Sequence, residues 1–200
     1  MNSTYGEAAP VAPIMSVECN EKRGDVMRHV YPVALSVDNL KAMWHQFSKF
    51  RTVLGEEVDG DFWKFVSLFV DLEEGKEAKA RGLYWRVDDF VGMFYVTDID
   101  IGQDALLHYT FFDRVLKGRT ELIVRMLDYI FKRYGFHRVT VEIPAFASPY
   151  TLVAAERIGF VKEGRKRHCR KFDGDYFDVH SFGMLKEEFY SRYEDMLNGR

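Results

Sequence analysis

Cysteine is nearly absent. Cys19 and Cys169 are the two in 200 residues, too few for a disulfide framework, and neither has a Cys or His partner at zinc-site spacing. No excess of one charge exists either: 28 Lys and Arg face 31 Asp and Glu, a net charge of -3, which gives no global case for nucleic acid or an anionic membrane. No apolar run approaches the roughly 20 residues that span a bilayer, and the N-terminus lacks the basic and apolar regions of a signal peptide. These absences lead to the expectation of a cytoplasmic protein without membrane contact. Proline is scarce, and Pro10 and Pro13 both fall in the small, polar stretch 1–25. That stretch reads as an N-terminal arm, either unstructured or ordering against a protein partner.

What is plentiful is apolar surface. At 47% hydrophobic and 16% aromatic, the chain has material for one domain with a full core, expected over 26–189, with a C-terminal tail over 190–200. Tyr31 to Ser36 reads as a strand. Helices follow, one presenting Leu40, Met43, Trp44, Phe47 and Phe50 and the next Phe62, Phe65, Val66 and Phe69; such aromatic stripes are ordinary core. Leu83–Val87 and Phe90–Thr97 read as a hairpin around Asp88-Asp89. A further strand runs from about Asp104 to Phe112, with Asp104, Leu106, His108 and Thr110 on one face and Ala105, Leu107 and Tyr109 on the other.

The stretch 119–160 is the most regular. Leu122, Ile123, Met126, Leu127, Ile130 and Phe131 recur at helical spacing opposite Glu121, Arg125, Asp128 and Lys132, whose acid-first pairs add roughly 0.2–0.5 kcal/mol each. Gly135 suits the left-handed position after the helix. Val139, Val141 and Ile143 then alternate with Arg138, Thr140 and Glu142 in a strand ending at Pro144. Ser148 and Pro149 open a second helix that Gly159 closes. Strands at Val161–Cys169 and Tyr176–Leu185 follow, and then a short terminal helix or tail.

This order of elements resembles the second half of the GNAT-superfamily N-acetyltransferases, and within them the ribosomal-protein-acetylating branch. Glu121, Phe131 and Phe136-His137-Arg138-Val139 stand where that branch has its helix and following strand, and Tyr176, Asp178, Gly183, Leu185 and Glu188 match its closing strand. The resemblance implies a mixed α+β GNAT fold: a mostly antiparallel central sheet of about six or seven strands flanked by about four helices. It also implies acetyl-CoA as co-substrate and an amine acceptor, on a protein or a small molecule.

The family's pyrophosphate loop presents backbone N–H groups at the start of the long helix, with glycines where side chains would block approach. Here the motif is degenerate. Val115 and Lys117 occupy the glycine positions, Gly118 is displaced by one, and Arg114, Lys117 and Arg119 bring compensating charge. Ser148 stands in place of an Asn, and Thr151 in place of a Ser; both are candidate cofactor contacts, and both also suit helix capping. Ala155 replaces the Tyr that many members use as a general acid.

For a catalytic base the resemblance implies Asp104, and His108 on the same face is the second candidate. Asp98, Asp100, Gly102 and Asp104 alternate like a calcium loop but lack its order of acids and terminal Glu, so no metal is expected. The run from Lys162 to Lys171 reads first as a solvated strand face and second as a contact for RNA or an acidic protein surface, with nucleic acid ranked low because the run is short and without interleaved aromatics. Two functions emerge: an acetyl-CoA-dependent N-acetyltransferase, and alternatively an inactive GNAT-fold scaffold or interaction protein with a decayed cofactor site.

Overall fold

A computed structural model describes residues 12–21, 24–54, 56–58, 60–113 and 115–199. Val17 and Cys19 point inward while Ser16 and Glu18 point out, and this alternation builds an edge strand, β1 (Met15–Glu21), paired antiparallel along its length with β2 (Gly24–Pro32). Ser36 accepts from the Asn39 N–H and starts α1 (Val37–Phe47), which is followed by a short α2 (Arg51–Leu54) and a 3-10 turn at Glu56–Val58. Asp61 caps α3 (Phe62–Ser67) through the Trp63 and Lys64 N–H groups. A two-stranded ribbon, β3 (Val70–Asp71) and β4 (Lys79–Ala80), then leads to the meander β5 (Leu83–Val87), β6 (Gly92–Asp100) and β7 (Asp104–Phe111).

The second half alternates helix and strand: α4 (Arg119–Tyr134), β8 (Arg138–Pro144), α5 (Pro149–Ile158), β9 (Val161–Phe172), β10 (Asp175–Leu185) and α6 (Lys186–Leu197). The strands form an eight-stranded sheet in the order β1-β2-β5-β6-β7-β8-β10-β9, antiparallel except where β7 meets β8. One face, with Trp85, Phe94, Val96, Leu107, Val139 and Val141, packs against α4, α5 and α6. The opposite face carries Tyr84 and Met93 and packs against the aromatic side of α1 and α3.

The fold is thus the mixed α/β one expected, with different counts. An eight-stranded sheet and six α-helices replace six or seven strands and four helices. The extra strand is β1, which falls inside the stretch read as an arm: its pairing with β2 outweighs the weak local signal left by its polar residues and by Pro10 and Pro13 ahead of it. Residues 1–11 of that arm lie outside the described residues. The extra helix is the single turn of α2, and the terminal element expected as a short helix or tail is the twelve-residue helix α6, which runs through most of 190–200 and buries Phe189 against Phe131. No helix among the described residues is long and apolar enough to cross a membrane.

Candidate active site

Two neighbouring strands joined by a single ladder pair define the site. α4 carries the chain back over the sheet, so β7 and β8 run parallel, and Leu106↔Thr140 is the single pair that joins them among the described residues. Around that pair the seam is tied shut. Asp104 accepts the Thr140 hydroxyl at 2.8 and 3.1 Å, while Arg138 stands 3.3 Å from Asp104 and donates to Glu163 at 2.6 Å. Toward the C-terminal ends no further pair follows, so the strands part and leave facing main-chain groups without a strand partner. Because the strands are parallel, the N-termini of α4 and α5 both lie at this open end.

The segment before α4 alternates. Phe112 and Leu116 are buried, whereas Val115 is 81% exposed and Lys117 is exposed. Arg114 lies outside the described residues. Gly118 sits at φ 70° as the residue before α4, and no side chain caps the helix, so its first N–H groups and the positive end of its dipole face outward. A Cβ on Gly118 would lie 2.3 Å from the Cys19 Cβ. Glycine is therefore required here by β1 passing over the helix start, a packing reason the sequence did not disclose. Arg119 donates to the Asp113 carbonyl at 2.8 Å and lies over the Phe111 ring at 5.6 Å, with its Nε buried and without a hydrogen-bond partner.

At the start of α5, Ser148 makes no side-chain cap hydrogen bond and is exposed, so its hydroxyl is not engaged in capping. Thr151, half-buried in the first turn, gives its N–H to the Ser148 carbonyl at 2.8 Å. Ala155 is fully buried in the main core. For the phosphates of acetyl-CoA the loop offers an uncapped helix start, Lys117 and the Arg119 guanidinium, with side chains at Val115 and Lys117 where the family has glycines. The fit is poor for a general acid on α5.

On the opposite face of the sheet the open end leads into a cavity of about 920 Å³. Tyr95, Thr97, His108, Glu142 and Lys166 line it. The His108 and Tyr95 rings stack, with centroids 4.4 Å apart and planes within 7°, and Thr97 Oγ1 lies 3.0 Å from His108 Nε2. Burial pulls the His108 pKa down to about 4, although the Asp98 and Glu142 carboxylates act in the opposite sense. The ring is consequently neutral at physiological pH. Glu142 accepts a hydrogen bond from Lys166 of β9, which holds the lysine ammonium above its ordinary value. The β9–β10 hairpin roofs the cavity: Gly174 N–H donates to Glu56 Oε1 at 2.9 Å, and Phe172 stacks on Phe146 at 4.5 Å.

The two candidate bases are thus separated. His108 lines the cavity, whereas Asp104 lies outside its lining and is engaged at the closed end of the seam. Lys162 to Lys171 forms most of β9, and this run is partly neutralised, since Arg165 pairs with Asp178 at 3.2 Å and Lys166 with Glu142. Asp98, Asp100 and Asp104 form no three-ligand metal cluster among the described residues. Glu142, Tyr95 and Thr97 were missed as site residues. Alternation puts Glu142 on one face with Arg138 and Thr140, but only the Leu106↔Thr140 pairing brings that face beside His108.

A family model described as an acetyltransferase (GNAT) domain matches residues 82–181. The SPbeta prophage-derived uncharacterized N-acetyltransferase YokL of Bacillus subtilis (strain 168) is 29% identical over 105 residues, 51% of this chain and 59% of that protein. Among solved structures, spermidine N-acetyltransferase from Vibrio cholerae in complex with CoA and spermine superposes with a TM-score of 0.64. It is 20% identical, with 80% of this chain and 97% of that one covered. The ribosomal-protein-S5-alanine acetyltransferase from Vibrio fischeri gives 0.59 at 15% identity, covering 81% and 94%. At these identities the superpositions speak for the fold, and the family model speaks for descent: the chain belongs to the GNAT acetyltransferase domain family.

Proposed function

We propose that the protein is an N-acetyltransferase that uses acetyl-CoA to acetylate an amine, carried by a protein or by a small molecule. The observation that supports this most is the parted seam. A single strand pair gives way to an opening with an uncapped helix start on one side of the sheet and a polar cavity on the other. Lys117, Arg119 and the first N–H groups of α4 would hold the phosphates, with the Ser148 hydroxyl and Thr151 along the rest of the cofactor. Arg114 and Val115 belong to the same loop by sequence register. When bound, acetyl-CoA would supply the thioester: a neutral amine would attack its carbonyl carbon, the C–S bond would break, and CoA would leave as the thiolate and be protonated from solvent.

The chain's own contribution is orientation and proton handling. The unpaired main-chain groups of the seam are donors that need no reorganisation to meet a carbonyl oxygen. His108, neutral and held by Thr97 and Tyr95, is positioned to take a proton from the acceptor nitrogen. An imidazole depressed this far is a weak base, so its use is late in the reaction, once the attacking nitrogen has become acidic. Asp104 serves the reaction from a distance, by holding the seam closed behind the site.

A second reading, a fold kept as an interaction scaffold, is favoured by Ala155 and by the side chains of Val115 and Lys117 in the loop. Calorimetric titration with acetyl-CoA separates the two. Micromolar binding by the natural protein, weakened at least tenfold in Lys117→Glu, is the outcome expected of the enzyme; no heat at millimolar acetyl-CoA would discard it. Gly118 is unsuited to this test, because any side chain there collides with Cys19.

A further inference from the structure

The cavity already contains an amine. Lys166 reaches across from β9, and its Nζ donates to Glu142 Oε1 beside the Tyr95–His108 stack. We propose that Glu142 is the docking carboxylate for the acceptor's ammonium group, which gives up a proton to solvent before its nitrogen attacks, that the acceptor is a primary amine on a slender aliphatic chain, and that Lys166 occupies this site until the acceptor displaces it. The proposal rests on the acetyltransferase reading for its assignment of the cavity to the acceptor.

The described carboxylates lining the cavity are Asp71, Asp98 and Glu142. Asp71 is held by Arg81 at 2.6 Å. Asp98 lies on an exposed strand end at φ 48°. Glu142 alone of the three stands on β8 at the parting of the seam, where its side chain is 26% exposed. A carboxylate so placed needs a cationic partner, and one of the right shape is present.

Lys166 is bound lightly. Its side chain is 59% exposed, and it donates to Glu142. The contrast with Arg138 matters: that cation meets Glu163, Thr140 and Asp104 together and has no cause to leave. An exposed pair of one lysine and one glutamate opens readily. A lysine side chain is four methylenes ending in an ammonium, and a flat aromatic stack flanks its path; the same shape describes the head of a polyamine or a protein lysine. Branched or aromatic amines would meet Tyr95 and Glu142 less well.

The test uses the whole protein without acetyl-CoA and follows lysine ammonium resonances by 15N-edited NMR. The Lys166 signal is assigned by its loss in Lys166→Met. Spermidine and Nα-acetyllysine methylamide are the two probes, one for a small polyamine and one for a protein lysine, each matched for ionic strength with sodium chloride. Expected is a protected Lys166 signal that Glu142→Gln abolishes and that at least one probe, but not the salt, moves to the free-lysine position; which probe does so identifies the source of the amine.

The affinity of that probe should rise about two- to six-fold in Lys166→Met. It should be unchanged in Lys162→Met, which removes the same charge from the same strand. Equal probe affinity in Lys166→Met and the natural protein, undiminished affinity in Glu142→Gln, or binding of neither probe overturns the proposal. Failure here with acetyl-CoA binding intact leaves the acetyltransferase reading standing. Displacement of Lys166 by a probe, with no binding of acetyl-CoA, supports the ammonium site and removes its catalytic meaning.

Discussion

At its closed end the β7–β8 seam ties Asp104, Arg138, Thr140 and Glu163 into one network; at its open end Glu142 and Lys166 face each other as a simple pair across a cavity. Both ends use acids and bases on the same face of the same strands. The difference is the number of partners each charge has. A carboxylate with a hydroxyl and a guanidinium on it is fixed structure, whereas one holding a single flexible lysine is available to a ligand.

The largest effect expected concerns the neutral His108 at the open end. Its folded pKa, about 4, lies below the ordinary 6.5, so the unfolded chain takes up a proton first as pH falls. Stability contributed by the neutral ring is intact above about pH 6.5 and is lost progressively toward pH 4, by about 3 kcal/mol. Urea unfolding at several pH values should show this slope, and His108→Gln should flatten it. An unchanged slope would mean that the ring is more hydrated than its surroundings imply.

At the closed end, Arg138→Ala leaves Asp104 and Glu163 without their shared cation and should cost about 2 kcal/mol. Glu142→Gln, the corresponding lesion at the open end, should cost less than about 1 kcal/mol. Equal losses in denaturant titrations would erase the distinction between the two ends. Thr140→Val keeps the shape and removes the hydroxyl from Asp104, for an expected loss of about 1 kcal/mol. Smallest of all is Lys166→Met, expected to change the melting free energy by no more than about 0.5 kcal/mol, as suits a residue whose role is occupancy.

Much of this architecture was legible in the sequence. The helix expected from Arg119 to Tyr134 has those bounds, because its apolar face and its closing Gly135, at φ 70°, are local signals. The strand ending at Pro144 and the helix opening at Pro149 were legible for the same reason. β1 was not. Its polar residues, after Pro10 and Pro13, read as an arm, and its partner β2 contributes hydrogen bonds no local pattern records. The site was legible by half: His108 was named, but Glu142 passed as an ordinary outward residue. Its partner is 24 positions away, within a β9–β10 hairpin whose register shifts twice, and shifts of that kind leave no trace in alternation.

A sheet stitched at one pair has a consequence for how the molecule breathes. Apart from Leu106↔Thr140, the strands before α4 and those after it share no ladder among the described residues; the two blocks are joined besides by the His137 and Arg138 N–H groups on the Gln103 carbonyl, by the side chains of α4 and by the latch at Arg138. Ladder hydrogen bonds make cooperative units, and a seam without them is where a sheet divides. Amide protons of β5 to β7 and of β8 to β10 should therefore exchange as two separate groups, each protected within itself. A cofactor lying between the strands would bridge both groups, and binding it would turn two exchanging blocks into one.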